Sequence, residues 1–215
     1  MARGDKAKTN FQNFWERIKV RPLARTERFE CEFHFPDTMR DEITKLRESI
    51  PSGDEGPVEW QSPADEATIM CEEVQIPGMV LQNKEIPIGT WNFMRNSNVN
   101  FLGNEINITF LTDHDWYLRH VFELWIDHCV GSTSKEVAFP DDQFGEVTIK
   151  MLDLNGVERT RWKLYEVTPK VLNLVPLAHG GVSLARTTLI ISSTYWTSKA
   201  INVSMAADKH EQSTG

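Results

Sequence analysis

Residues 71–112 read CEEVQIPGMVLQNKEIPIGTWNFMRNSNVNFLGNEINITFLT, and 113–130 continue DHDWYLRHVFELWIDHCV; together they decide the fold. Pro77, Gly78, Pro87 and Gly89 punctuate apolar segments around a long two-stranded excursion. Short runs of β-branched and aromatic residues bounded by turn residues predict strands at about 67–76, 79–88, 92–101 and 106–112. A helix over 115–129 follows the last strand directly, capped by Thr112 or Asp113 and stopped by Gly131. Trp116, Val121, Leu124, Trp125 and Cys129 supply its buried side.

Upstream, Phe29, Cys31, Phe33 and Phe35 alternate with Glu30, Glu32 and His34, the period of a half-buried strand. Phe11, Phe14, Trp15 and Ile18 are spaced as one face of a short amphipathic helix, ended by Pro22. That apolar stripe needs cover, either from its own domain or from a neighbouring subunit. Asp37 or Thr38 can cap a helix carrying Met39, Ile43, Leu46 and Ile50, which Pro51 closes. Gly53, Gly56, Pro57 and Pro63 then make 52–63 an exposed loop.

Downstream, a turn at Pro140-Asp141-Asp142 leads into alternating Val147, Ile149 and Met151. Asn155-Gly156 is the strongest short hairpin signal in the chain, and the return strand carries Trp162, Leu164 and Glu166. Residues 169–181 read as a loop, 182–196 as a long final strand, and 197–215 as a flexible polar tail.

The chain has 215 residues, 40% hydrophobic and 25% charged, which suits one globular domain with arms. Its net charge of -8 argues against a protein that grips nucleic acid by neutralising phosphates. The charge is uneven: residues 1–26 carry seven basic and two acidic side chains, +5, whereas 27–85 carry five basic and fifteen acidic, -10. A basic arm precedes an acidic body. The first ten residues form no apolar leader, and no later run approaches the roughly 20 apolar residues of a membrane helix, so synthesis in the cytosol is expected. Cys31, Cys71 and Cys129 form no CxxC pair and read as small buried hydrophobes of a reducing compartment. The sequons at Asn107 and Asn202 are chance matches in that setting.

His114, His120 and His128, with Asp113, Asp115 and Cys129 nearby, raise a metal site or a Cys/His dyad. Ligands on one helical face need separations of three or four residues, whereas these histidines are six and eight apart. Cys129 follows His128 directly, and adjacent helical residues diverge. Asp113 and Asp115 are better used as capping and dipole-compensating charges. Gly180-Gly181 is a lone glycine pair rather than a phosphate cradle. Trp91, Trp116, Trp125, Trp162 and Trp196 fall in strands or the helix, where core packing is the commoner use. No catalytic residue, cofactor or metal is assigned, and an enzyme is not expected.

The plan resembles the tail-tube proteins of contractile-tailed bacteriophages, relatives of the type VI secretion tube protein and of phage tube-initiator and baseplate-hub proteins. The likeness lies in the order of Glu73-Val74-Gln75-Ile76-Pro77-Gly78, Lys84-Glu85-Ile86-Pro87-Ile88-Gly89, Met94-Arg95-Asn96, Val99-Asn100-Phe101-Leu102-Gly103 and Ile106-Asn107-Ile108-Thr109-Phe110, before the helix that carries Trp116 and Trp125. It covers roughly 28–196. It implies an α+β, mainly β fold: a two-sheet sandwich or small β-barrel with one long flanking helix, closed by an aromatic pair like Tyr195-Trp196. Six copies would form a ring with a ring-wide inner β-barrel, and rings would stack into a tube inside a contractile sheath.

The resemblance divides the chain into a basic arm (1–26), a tube domain (27–196) with a helix-loop insertion at 38–63, and a C-terminal tail (197–215). It places Ile76, Pro77, Gly78, Met79, Ile86, Pro87, Ile88 and Gly89 in an intersubunit hairpin, and Asp115, Arg119, Glu123 and Asp127 on a sheath-facing helix. Phe11, Phe14, Trp15 and Ile18 are the arm contact. The implied partners are further copies of the chain, the tail sheath, the baseplate or initiator, the tail terminator, and passing DNA without specific binding; no membrane is implied. The implied location is the virion, after assembly in the host cytoplasm. A tube initiator or baseplate hub of the same fold is the alternative role, and a sandwich-fold metalloenzyme using His114, His120 or His128 is the alternative of another class.

Overall fold

Local pattern becomes structure most directly at the two ends of the first sheet. In the computed structural model, which describes residues 3–20, 23–49, 62–102, 105–131, 136–177, 179–180 and 184–199, an N-terminal helix α1 (Arg3–Val20) precedes strand β1 (Phe29–His34). Cys31 and Phe33 point inward from β1 as their alternation requires. A 3-10 turn (Asp37–Met39) and α2 (Arg40–Ser49) follow, with Met39 buried and Ile43 against the core. The expected loop at 52–63 and the close of α2 at Ile50 and Pro51 lie mostly outside the described residues.

The strand expected at 67–76 is corrected. Residues 63–70 form helix α3 (Pro63–Met70), and only β2 (Cys71–Val74) is extended. The reason is local. The Ser62 hydroxyl accepts the Asp65 N–H at 3.2 Å, Pro63 occupies the first turn, and Asp65 and Glu66 complement the dipole. These start signals outweigh the β-character of 67–70.

The excursion is β3 (Gly78–Ile88) and β4 (Trp91–Leu102), paired from Gly78↔Leu102 to Ile88↔Trp91. Then come β5 (Glu105–Leu111) and the long helix α4 (Tyr117–Cys129), two residues shorter at its start than expected. The expected cap by Thr112 or Asp113 is corrected: Trp116 holds the N-cap position in a left-handed conformation with φ 57° and no side chain caps there, because this turn carries the chain off β5 before the helix starts; the Asp113 carboxyl accepts the Tyr117 N–H from outside it. The buried face is Tyr117, Leu118, Val121, Phe122, Trp125 and Cys129; Trp116 and Leu124 are only half-buried. Val130, not Gly131, ends the helix, in an extended conformation that bridges to Val137. A short helix α5 (Pro140–Gln143) takes the place of the predicted turn.

Asn155-Gly156 does turn the chain between β6 (Gly145–Leu152) and β7 (Glu158–Leu172), with Gly156 at φ 76°. The loop expected from 169 is corrected. The strand runs on to Leu172 because Glu166, at φ 52°, bends it out of one sheet and into the other. Pro169 is tolerated there because this half of β7 pairs only with β8 (Arg186–Ser192), leaving an open side. The long final strand is corrected likewise. It breaks at Ser193 and Thr194 into β8 and β9 (Tyr195–Ser198), which lie on opposite sheets.

Two antiparallel sheets result. One orders β1, β6, the first half of β7, and β9; the other orders the second half of β7, β8, β5 and β2. Their inner faces meet at Phe33 and Phe110, whose rings lie 5.6 Å apart, and α4 adds Phe122 at 5.0 Å from Phe110 and Trp125 at 5.3 Å from Phe35. Each such pair contributes about 0.5–1.5 kcal/mol beyond area burial. The expected barrel closure by Tyr195-Trp196 does not occur within one chain. Trp196 is buried opposite Leu164, but the sheets stay open at β1, β9, β2 and the second half of β7 among the described residues.

Candidate assembly surface

Among the described residues the β3–β4 ribbon pairs only with itself, and its apolar side chains have little cover from the others. Met79, Val80, Leu81, Ile86, Phe93, Met94 and Val99 are exposed, and Trp91 at the tip keeps 74% of its surface in water. Gly89 makes the tip, with φ 63° in a two-residue turn with Thr90 that only glycine enters without strain. Pro87 lies inside β3 opposite Asn92, which a two-stranded ribbon allows because each strand has a free edge.

The pairing register divides the ribbon into two faces. Met79, Leu81, Met94 and Val99 share one face, and Val80, Ile86, Trp91 and Phe93 share the opposite one. On β4 the alternation changes side at Ser97, an extra residue between the pairs Gln82↔Asn98 and Asn83↔Asn96, whose hydroxyl donates to the Gln82 carbonyl at 3.1 Å. The ribbon therefore presents apolar surface in two directions. Isolated two-stranded ribbons are marginal in water, and exposed apolar edges invite pairing with another chain.

Of the predicted hairpin residues, Gly78, Met79, Ile86, Pro87 and Ile88 lie in β3 and Gly89 in its turn, whereas Ile76 and Pro77 belong to the link from β2. Pro77 is buried and Ile76 exposed. The arm residues Phe11, Phe14 and Trp15 keep 62%, 54% and 50% of their surface in water, and their rings touch one another edge-on; Ile18 is half-buried. On α4, Asp115, Glu123 and Asp127 are exposed, and Arg119 is held by Glu123 at 3.0 Å and by the Asn173 carbonyl at 3.1 Å.

The three histidines take separate environments. His114 is exposed, and His120 meets Glu123 at 3.1 Å. His128 Nε2 lies 3.0 Å from the Thr38 hydroxyl and 3.1 Å from the Asp142 carbonyl, with Glu42 3.4 Å from Nδ1. His128 thus ties α2, α4 and α5 together. Burial pushes the Cys129 thiol up to about 11. Cys31 is held well above the usual thiol range by its hydrogen bond to Cys71 and by burial. At the junction of α3 and α4, burial and the adjacent Asp113 raise Glu66 to about 7, and burial raises Asp113 too. The two carboxyls are hydrogen-bonded to each other, so they share a proton more readily than they both ionise.

Sequence reading missed three exposed apolar sites. Leu174, Leu177 and Leu184 project from the link between β7 and β8, and Val137 and Phe139 from the strip after α4. A cleft of about 950 Å³ between the base of the arm and the β6–β7 turn is lined by Leu23, Ile76, Leu154 and Trp162. These short apolar runs lie outside any strand or helix with a clear period, so only the fold exposes them. Among the described residues no helix is long and apolar enough to cross a membrane.

Residues 24–198 match the sequence model of a family described as "Phage tail tube protein". No curated protein matches by sequence. Among solved structures, this chain is similar to one in the sheath/tube terminator of an extracellular contractile injection system, PVC, in its extended state: TM-score 0.55 at 12% identity, covering 84% of this chain and 99% of that one. It is similar to one in the PVC sheath-tube complex, with TM-score 0.54 at 13% identity over 86% of this chain and 96% of that one. A chain of the anti-feeding prophage baseplate gives TM-score 0.52 at 14% identity over 82% and 95%. At these identities the likeness is one of fold.

Proposed function

Because the chain belongs to the phage tail tube protein family, we propose that it is the repeating structural subunit of a tail tube. Hexameric rings close through their sheet edges and β3–β4 ribbons into a continuous inner barrel, and rings stack within a contractile sheath to conduct DNA during ejection. One observation carries this reading: a ribbon with apolar surface on two opposed faces, left uncovered by the described residues of its own chain. One neighbouring copy covers one face; a second covers the other. The uncovered stripe Phe11, Phe14, Trp15 and Ile18 favours an arm that bridges copies over one that packs on its own domain.

The polar row Asp115, Arg119, Glu123 and Asp127 faces the sheath, and the insertion 38–63 and tail 197–215 decorate the particle. The baseplate or initiator and the terminator are the partners at the two ends of the tube. Assembly takes place in the host cytoplasm and needs no membrane, metal or cofactor, and the role is not enzymatic. The acidic stretch 27–85 keeps the duplex from adhering, since phosphate binding needs clustered basic groups.

Negative-stain microscopy and sedimentation of the purified protein test the reading, with stacked rings and tubes as the expected result. Those tubes are expected to retain no duplex DNA on filters at physiological salt. Protein that stays monomeric across all concentrations and on a baseplate seed would refute it. A single ring per particle, rather than many, would make the chain the tube initiator.

A further inference from the structure

The arm and one cleft of the body are complementary in both charge and apolar character. α1 carries Arg3, Lys6, Lys8, Arg17 and Lys19 against Asp5 and Glu16, and its aromatic stripe is open to water. Arg17 lies three residues beyond Phe14, and Lys19 four beyond Trp15, so basic groups flank the stripe on both sides. Such a helix binds an apolar groove whose rim is acidic.

Two clefts compete for it. The cleft beneath the arm is apolar, but its rim holds Arg25, Arg28 and Arg159 against Asp153 alone, and the arm's own Val20 and Leu23 already line it. The second, about 490 Å³, lies between α2 and the end of α4. Glu42, Asp127, Glu136 and Asp142 line it with His128, and among its described lining residues there is neither lysine nor arginine. Its apolar members are Leu124, Val137 and Phe139, the last two largely exposed. The C-terminus of α4 adds partial negative charge at the same place.

We propose that α1 of a neighbouring copy docks in this acidic cleft. Phe11, Phe14 and Trp15 cover Leu124, Val137 and Phe139, and Arg17 and Lys19 meet the carboxylates. The contact takes Asp127 out of the sheath-facing row and leaves Asp115, Arg119 and Glu123 uncovered. This inference rests on the tube-subunit reading and adds the receptor for the arm.

Charge reversal and its rescue test it on the full chain. Arg17→Glu with Lys19→Glu, and separately Glu42→Lys with Glu136→Lys, are each expected to raise the protein concentration needed for tubes at least tenfold, the arm pair without lowering the melting temperature of the monomer. Combining all four should restore it to within about threefold of the unaltered protein. If Glu42→Lys fails to fold, Glu42→Gln with Glu136→Gln should weaken assembly and flatten its salt dependence. Tubes that form normally with either reversed pair, or a combined variant no better than the worse pair, would overturn the inference while leaving the tube reading intact. Absence of tubes from the unaltered protein would remove that reading itself. A reversed cleft that leaves tubes intact but loses capture of tail sheath would assign the cleft to the sheath. Arm binding to anionic lipid vesicles, with tubes indifferent to the reversals, would assign the arm to membranes.

Discussion

Trp91 is the side chain for which assembly and folding make the most separable demands. It stands at the tip of the β3–β4 ribbon with 74% of its surface in water, so its own chain gains little from it. A tryptophan buries up to about 250 Å². Covering the exposed part by a neighbour would therefore remove about 185 Å² from water, about 4–5 kcal/mol per contact at roughly 25 cal/mol per Å². Cover that is only half complete leaves about 2 kcal/mol, still more than tenfold in an association constant. Trp91→Ala is expected to raise the concentration needed for tubes by at least about tenfold and to leave the melting temperature of unassembled protein within a degree or two. Sedimentation across a concentration series gives the first quantity and thermal melting at low concentration the second. An unchanged assembly threshold would place the tip outside every subunit contact, and a melting temperature lowered by several degrees would mean that the ribbon is held by its own domain.

Two further substitutions probe the body. A Cβ on Gly145 would stand 2.6 Å from the His34 carbonyl and 3.0 Å from the Trp125 ring, so Gly145→Ala should cost about 1–3 kcal/mol, read as a lower urea midpoint; a midpoint equal to that of the unaltered protein would show that β6 can move away. Glu66, raised from 4.5 to about 7, stabilises the fold in its protonated form: its contribution is complete below about pH 4.5 and is lost as pH rises through 7. Glu66→Gln keeps the neutral form, and once water access to the site is allowed for it should stabilise the protein at pH 8 by on the order of 1 kcal/mol and have little effect at pH 4. Equal effects at the two pH values would contradict the shared proton.

Features fixed by neighbours in the sequence were legible: the alternation of β1 and the Asn155-Gly156 hairpin; on α4 the periodicity finds Val121, Trp125 and Cys129 but not Tyr117, Leu118 and Phe122. Features that arise where the chain changes sheet were not. Glu166 and the break at Ser193 and Thr194 carry no breaker residue, because their conformations are imposed by two sheets competing for one strand. The ribbon is the sharpest case, since β4 alternates almost perfectly. On β4, Trp91, Phe93 and Val99 all occupy odd positions, so a regular strand would place them on one face, whereas on β3 Met79 and Leu81 are odd and Ile86 is even. Ser97 breaks the regular alternation of β4. A single unpaired residue moves the side chains beyond it to the other face, so Trp91 and Phe93 part from Val99. Nothing in the string Asn96-Ser97-Asn98 marks the bulge, because small polar residues fit a regular ladder equally well. With the bulge, Trp91 and Phe93 join Ile86 on the face opposite Met79 and Leu81, so each face of the ribbon is apolar on both strands. A ribbon with a single apolar face could be satisfied inside one ring, whereas a split one needs surfaces on both sides, which is the demand that stacking rings would meet.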